Sequence, residues 1–442
     1  MSHTEPSAEG QPAAAAMSVR GAAFLGVGAM VGAGIFALLG QAGAVAGSAV
    51  WLSFLLGGAI AGLIGYVVAK LGARYPSSGG IVTFLLEGFG NGHTTGVVSW
   101  LLYFAAIIVT SMVSVSFGSY GSSLFFGDDA SAIWAKVLTT LVVVVVWAVN
   151  IVGAKVVDRL QTVIVFVLLF VFAGFIVATF SQMDTQLLSP SGYPPAFDIV
   201  SSVALTFFAY LGFAVISFTG GDLPNPRRDL PRAMYLALAI TTGLYVLISL
   251  GVFGTLTVDE VIANGETALA VAAKPVLGQT GYAIMAVAAL LATSSSVNAN
   301  IYGAAGSTAM LAKAGQFPPV FGKPGIAGGT RGLTISALAV IVLANGVDLS
   351  AIASVGSAVA LTIFLLVSIA GLRLRQETGS SPLIILVAIA GIVIVLAIFG
   401  VQTLRDEPQT FAAILAIGVL AVALDRIWTA VRGQRIAAAE AE

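Results

Sequence analysis

The stretch from Gly26 to Gly40, GVGAMVGAGIFALLG, decides how the rest of the chain is read. It lies inside a long apolar segment and carries Gly26, Gly28, Gly32, Gly34 and Gly40. Hydrocarbon offers no partner for a free N–H or C=O, so a membrane helix must satisfy its own backbone. Glycine lowers the cost of leaving helical geometry and lets another group come close to the main chain. Two readings follow. Gly28 and Gly32 form a small-xxx-small pair, which lets two helices pack closely. Alternatively, the helix is broken near the middle of the bilayer and its freed backbone groups bind a solute.

Composition sets the outer bounds. The chain has 442 residues, of which 58% are hydrophobic and 9% charged, against about 25% charged in soluble domains. So few charges cannot cover a soluble surface, and the chain reads as a polytopic membrane protein. The net charge of −1 gives no sign of nucleic-acid binding. The chain contains no cysteine, which excludes disulfides, thiolate catalysis and cysteine metal sites. Its two histidines, His3 and His93, are too few for an ordinary histidine metal centre. Residues 1–19 are rich in Ala, Pro, Ser and Glu and lack the pattern of a cleaved signal peptide; a disordered cytoplasmic tail is expected there.

A spanning helix needs about 20 mostly apolar residues, and on that rule the chain holds twelve. The first runs from Arg20 to Ala44, the sixth from Asp198 to Gly220, the seventh from Ala233 to Leu256 and the twelfth from Gln409 to Val431. Helices 1–5 fall in residues 20–180, helices 6–10 in 198–372 and helices 11–12 in 382–431, with a cytoplasmic C-terminal tail at 432–442. With both termini in the cytoplasm, sixteen of the nineteen Lys and Arg face inward, and only Lys136, Lys274 and Arg405 face out. That asymmetry is the positive-inside pattern of a multi-pass protein of the cell membrane. No ionisable Asp, Glu, Lys, Arg or His lies deep inside a span. Backbone groups, hydroxyls, amides and aromatics must therefore do the work.

A second weakened span reads ALTFFAYLGFAVISFTGGDLPNPRRDLP from Ala204 to Pro231. Phe207, Phe208, Tyr210 and Phe213 surround Gly212, and a polar, proline-punctuated loop follows Gly220-Gly221. The aromatics alone are equally well read as packing or lipid-facing bulk. Position separates the alternatives. Transporters built from inverted repeats carry a broken helix at matching points of two halves, and the two breaks form the solute site. Five plus five helices, with two added at the end, put helices 1 and 6 in register.

Five motifs now stand in order: GAMVGAGIF at Gly28–Phe36, YPSSGG at Tyr75–Gly80, FFAYLGF at Phe207–Phe213, PNPRRDLPRA at Pro224–Ala233, and ATSSSVNANIYG at Ala292–Gly303 leading to KAGQFPP. Together they resemble the amino acid–polyamine–organocation permeases. The resemblance implies an all-α integral membrane fold of about twelve helices, a five-plus-five inverted repeat with helices 1 and 6 broken and two C-terminal helices added. It implies that main-chain N–H groups of Gly32, Ala33, Gly34 and Ile35 hold a substrate carboxylate. Carbonyls of Phe208, Ala209 and Tyr210 would hold its ammonium, with Gly212 permitting the break and Phe207, Phe208 or Phe213 closing over it. In related folds a sodium ion joins helix 1 carbonyls to helix 8 hydroxyls, which falls here on Gly28, Val31, Ser295 and Ser296. The plain alternative is that hydroxyls in the run Thr293–Ser296 bond back to the preceding turn. The lysine that some members carry in helix 5 aligns near Val167 or Leu168, so lysine-based proton coupling is not expected.

The reading is a secondary transporter, not an enzyme, that moves a neutral or apolar amino acid by alternating access. A polyamine or other organic amine is the alternative cargo. No cofactor is expected beyond a coupling ion, Na+ or H+. The expected partners are the small-molecule substrate and the lipid bilayer.

Overall fold

The computed structural model describes residues 17–77, 79–127, 131–152, 157–313, 315–325 and 329–441. The tail expected over 1–19 lies almost wholly outside them. In chain order the helices are α1 (Val19–Ala33), α2 (Ile35–Ala46), α3 (Val50–Arg74), α4 (Ile81–Phe89), α5 (His93–Phe126), α6 (Ala132–Val152) and α7 (Val157–Ser181). Next come α8 (Ala196–Phe208), α9 (Pro226–Phe253), α10 (Val258–Asn264), α11 (Ala268–Val271), α12 (Lys274–Lys313) and α13 (Arg331–Gly346). The last are α14 (Leu349–Arg373), α15 (Arg375–Thr378), α16 (Pro382–Asp406) and α17 (Pro408–Ala441).

Ten stretches among the described residues are long and apolar enough to cross a membrane. One of them, Ile35–Arg74, covers both α2 and α3. With the shorter apolar helices Val19–Gly32 and Arg331–Gly346, they make the twelve segments read from the sequence. The first segment is two helices, α1 and α2, which meet at Gly34 (φ −86°, ψ −74°). The sixth is also divided. Its first half, α8, stops at Phe208, and the eleven residues Leu211–Gly221 continue as a 3-10 helix. Runs of 3-10 beyond three or four residues are uncommon and often mark a hinge. The all-α architecture, broken in its first and sixth segments, is the one expected.

Two boundaries differ from expectation. The polar stretch after Gly221 is a loop only to Asn225, because α9 begins at Pro226 and carries Arg227 and Arg228 in its first turn. Proline at the first helical position gives up an N–H that has no partner there in any case. At the other end, α17 does not stop at Val431 but stays helical to Ala441, through most of the expected tail.

The bundle sorts by burial. The hydroxyl-bearing faces of α5 and α14 are internal, with Ser111, Ser114, Ser116 and Ser357 fully buried. In contrast, Phe170 and Val177 of α7, Leu383 of α16 and Val419 of α17 are exposed, as a hydrocarbon solvent allows. At the end carrying most of the basic residues, Tyr75 Oη donates to Glu377 at 2.6 Å and Arg432 to the Gly315 carbonyl at 3.2 Å. At the opposite end, Trp51 donates to the Tyr193 hydroxyl at 3.0 Å.

Candidate functional site

The two broken segments run antiparallel and touch through glycine. A methyl carbon added at Gly34 would lie 2.7 Å from the Ala209 carbonyl oxygen, and one at Gly212 would lie 2.3 Å from the Met30 nitrogen. One turn further along, a carbon on Gly26 would meet the Ile216 side chain at 2.4 Å. Numbering falls along one segment as it rises along the other, which fixes the antiparallel register. Each approach is too close for any side chain, so backbone meets backbone at both breaks.

Tyr245 of α9 ties the breaks together. Its hydroxyl lies 2.7 Å from the Met30 carbonyl and 3.1 Å from the Ala209 carbonyl. It has one proton to donate, shared between an oxygen of each broken segment. The Met30 carbonyl also accepts the Gly34 N–H at 2.8 Å. The Tyr245 ring is fully buried and packs against Phe54 and Tyr210, with centroids 5.2 and 5.1 Å away. The sequence reading missed this residue, since a tyrosine within an apolar span looks no different from Tyr235 on the same helix.

The other expected site residues fall as follows. Gly32 and Ala33 end α1, Gly34 is the break itself, and Ile35 opens α2 with its N–H groups at a helix start. Ala209 and Tyr210 form the step between α8 and the 3-10 segment. Tyr210 commits its hydroxyl to the Phe54 carbonyl at 2.8 Å, while its ring packs on Tyr245. Phe207 and Phe213 both pack on Phe364 of α14, with centroids 5.9 and 5.0 Å apart. Phe208 reaches Gly356 instead, at the point where Ile108 of α5 also arrives. Of the three rings, Phe208 therefore stands where α5, α8 and α14 converge. Trp100 and Tyr103 of α5 belong to a separate stack: Trp100 lies flat on Phe317, centroids 4.1 Å apart, and Phe321 caps both.

Helix α12 meets α1 at Gly32, where an added carbon would sit 2.6 Å from the Ala292 carbonyl and 2.8 Å from the Ser296 Cβ. Thr293 and Ser294 bond back to the Ala289 and Leu291 carbonyls at 2.6 and 3.1 Å. Ser296 differs, because its hydroxyl accepts from the Asn300 amide at 3.2 Å on the side facing α1. Gly28 and Val31 lie within α1. The described residues contain no group of three His, Asp or Glu able to hold a metal. A cation here would have to be held by neutral hydroxyl and carbonyl oxygens, which suit a hard ion.

Two carboxylates that the sequence reading did not single out turn inward. Asp425 of α17 is only 3% exposed and lies 2.7 Å from His93 Nδ1, at the start of α5. Glu266 sits in the turn between α10 and α11 and accepts a hydrogen bond from the Ser119 hydroxyl. Burial pushes its carboxyl above the usual range, partly offset by that bond.

Comparison with known proteins identifies the family. The family model described as amino acid permease matches residues 17–423. The inner membrane transport protein YbaT of Escherichia coli is 31% identical over 400 residues, covering 90% of this chain and 93% of that protein. The serine/threonine exchanger SteT of Bacillus subtilis is 28% identical, over 62% of this chain and 63% of its own length. The methylthioribose transporter of the same organism is 25% identical, over 80% and 79%.

Proposed function

The chain belongs to the amino acid permease family of membrane transporters, and we propose that it is a secondary transporter for a zwitterionic, neutral amino acid. The observation that carries this reading is the contact of two broken segments through Gly34 and Gly212, bridged by Tyr245. The start of α2 offers N–H donors and the positive end of a helix dipole, which suit a carboxylate without any arginine. The donors are those of Gly32, Ala33, Gly34 and Ile35, and the Gly34 N–H, which bonds to the Met30 carbonyl, must leave it to reach the cargo. Carbonyls of Phe208, Ala209 and Tyr210 take the ammonium. Phe208 forms the wall toward α14.

An ionised side chain on the cargo would need a partner at membrane depth, and the spans offer none near the breaks. A small neutral cargo also fits the name of the serine/threonine exchanger among its relatives. Alternating access follows if residues 20–180 and 198–372 are inverted repeats whose broken segments rock against the remaining helices. The basic loops put both termini in the cytoplasm. The coupling is Na+ symport, H+ symport or exchange. For sodium, the Gly28 and Val31 carbonyls with the Ser295 and Ser296 hydroxyls supply the chemistry required.

The test is uptake by proteoliposomes of purified protein, with and without a sodium gradient. Alanine or leucine should enter faster than arginine or glutamate. The reverse order would overturn the assignment, and preference for a polyamine would favour the organic-amine alternative.

A further inference from the structure

The end of the bundle opposite the basic loops is closed by the turn Gly265–Thr267, and its fit is tight. A carbon added at Gly40 of α2 would lie 2.3 Å from the Gly265 carbonyl oxygen, so the turn rests directly on the second half of the broken first segment. The next residue, Glu266, reaches across to α5, where the Ser119 hydroxyl donates to it. Among the described residues it has no ion-pair partner. Facing it from α5 is Tyr120, and beyond that Tyr282 of α12. The nearby Lys274 instead lies over the Tyr282 ring, 4.5 Å from its centre. On α10, the Glu260 carboxylate is engaged at its own helix start, accepting from the Thr257 N–H at 2.8 Å, and Asp259 lies in the same first turn. Neither α2 nor α11 contributes a titratable residue.

Tyr120 connects this carboxyl to the break. It is fully buried and its hydroxyl has no hydrogen-bond partner. Its ring meets Phe36 edge-on, with centroids 5.7 Å apart, and Phe36 is the second residue of α2 after Gly34. Movement of α2 away from the turn would part Phe36 from Tyr120 and open Glu266, which is half-buried, further to water.

We propose that Glu266 binds a proton as this mouth closes, so that closure and protonation are one linked event. This rests on the transporter reading above, in which the mouth must open and shut in every cycle. The proton comes from water on that side, joins a carboxylate oxygen as the turn seats on α2 and α5, and returns when they part. Burying an ionised carboxylate without a cation is costly, whereas the neutral acid is tolerated. Burial accordingly raises the carboxyl from its ordinary 4.5 in the closed form. A group raised in the closed state favours closure at low pH, and that advantage is lost as pH rises through its raised value. Through that window the closed-to-open ratio falls by up to about tenfold per pH unit for one linked proton.

The test needs no known substrate. Amide hydrogen exchange of full-length protein in lipid nanodiscs is followed over residues 258–272 from pH 5 to 8, corrected for the intrinsic effect of pH on exchange. Protection in the wild type should fall as pH rises. In Glu266→Gln it should stay high and flat, and Glu266→Asp should retain the slope. A flat wild type, or a wild-type slope in the Gln variant, would overturn the proposal. If Glu266→Gln does not fold, loss of the slope in Glu266→Asp would overturn it. Failure of the uptake panel would remove the transport reading and leave this exchange result standing. Normal uptake with flat exchange would do the opposite.

Discussion

Tyr245 places its hydroxyl 2.7 Å from the Met30 carbonyl, and the same oxygen lies 3.1 Å from the Ala209 carbonyl. One side chain on an unbroken helix thus holds both broken ones. Tyr245→Phe keeps the ring and removes the donor, breaking the bridge while the Met30 carbonyl keeps only the Gly34 N–H. The expected loss is about 1–3 kcal/mol. It should appear as a lower thermal midpoint in detergent together with slower uptake. An unchanged midpoint would mean that the bridge does not form.

Gly212 leaves no room for a side chain, since the Met30 nitrogen lies 2.3 Å from where a methyl carbon would sit. Gly212→Ala should push the two segments apart at a cost of about 1–3 kcal/mol and reduce uptake sharply. Gly243→Ala on α9 is the control, because nothing lies within 4 Å of that position. There alanine should be neutral or stabilise the helix by up to about 1 kcal/mol.

Phe208 stands at the junction of α5, α8 and α14, whereas Phe207 and Phe213 pack on Phe364. Phe208→Ala should widen the range of accepted cargo. Competition assays should show bulkier neutral amino acids gaining affinity relative to alanine. Phe213→Ala should lower stability without changing the order of preference.

Asp425 and His93 join α17 to the start of α5. Asp425 is buried while the His93 side chain is 51% exposed, so the two should respond unequally. His93→Ala should lower the thermal midpoint more than Asp425→Ala, because it leaves the buried carboxylate without its partner, whereas solvent can replace the partner of the exposed imidazole.

Much of this was legible before any coordinates. Long apolar runs fix the twelve segments because hydrocarbon tolerates nothing else. The clustered glycines announced the breaks at Gly34 and around Gly212, since a backbone contact demands residues without side chains. Tyr245 was not legible, because its role depends on where another helix places two carbonyls. Glu266 was not singled out by the sequence; its half-burial depends on a turn whose neighbour Gly265 docks on Gly40. Pro226 was read as loop punctuation, although proline serves equally well at a helix start.

The central claim is that main chain at two touching breaks, and not an ionised side chain, grips the cargo. Gly34→Leu tests it most directly, because the first added carbon would already lie 2.1 Å from the Tyr245 hydroxyl and 2.7 Å from the Ala209 carbonyl. Uptake of labelled alanine or leucine should be measured in proteoliposomes matched for incorporated protein. The variant should reach the membrane and transport nothing; uptake at the wild-type rate would contradict the account.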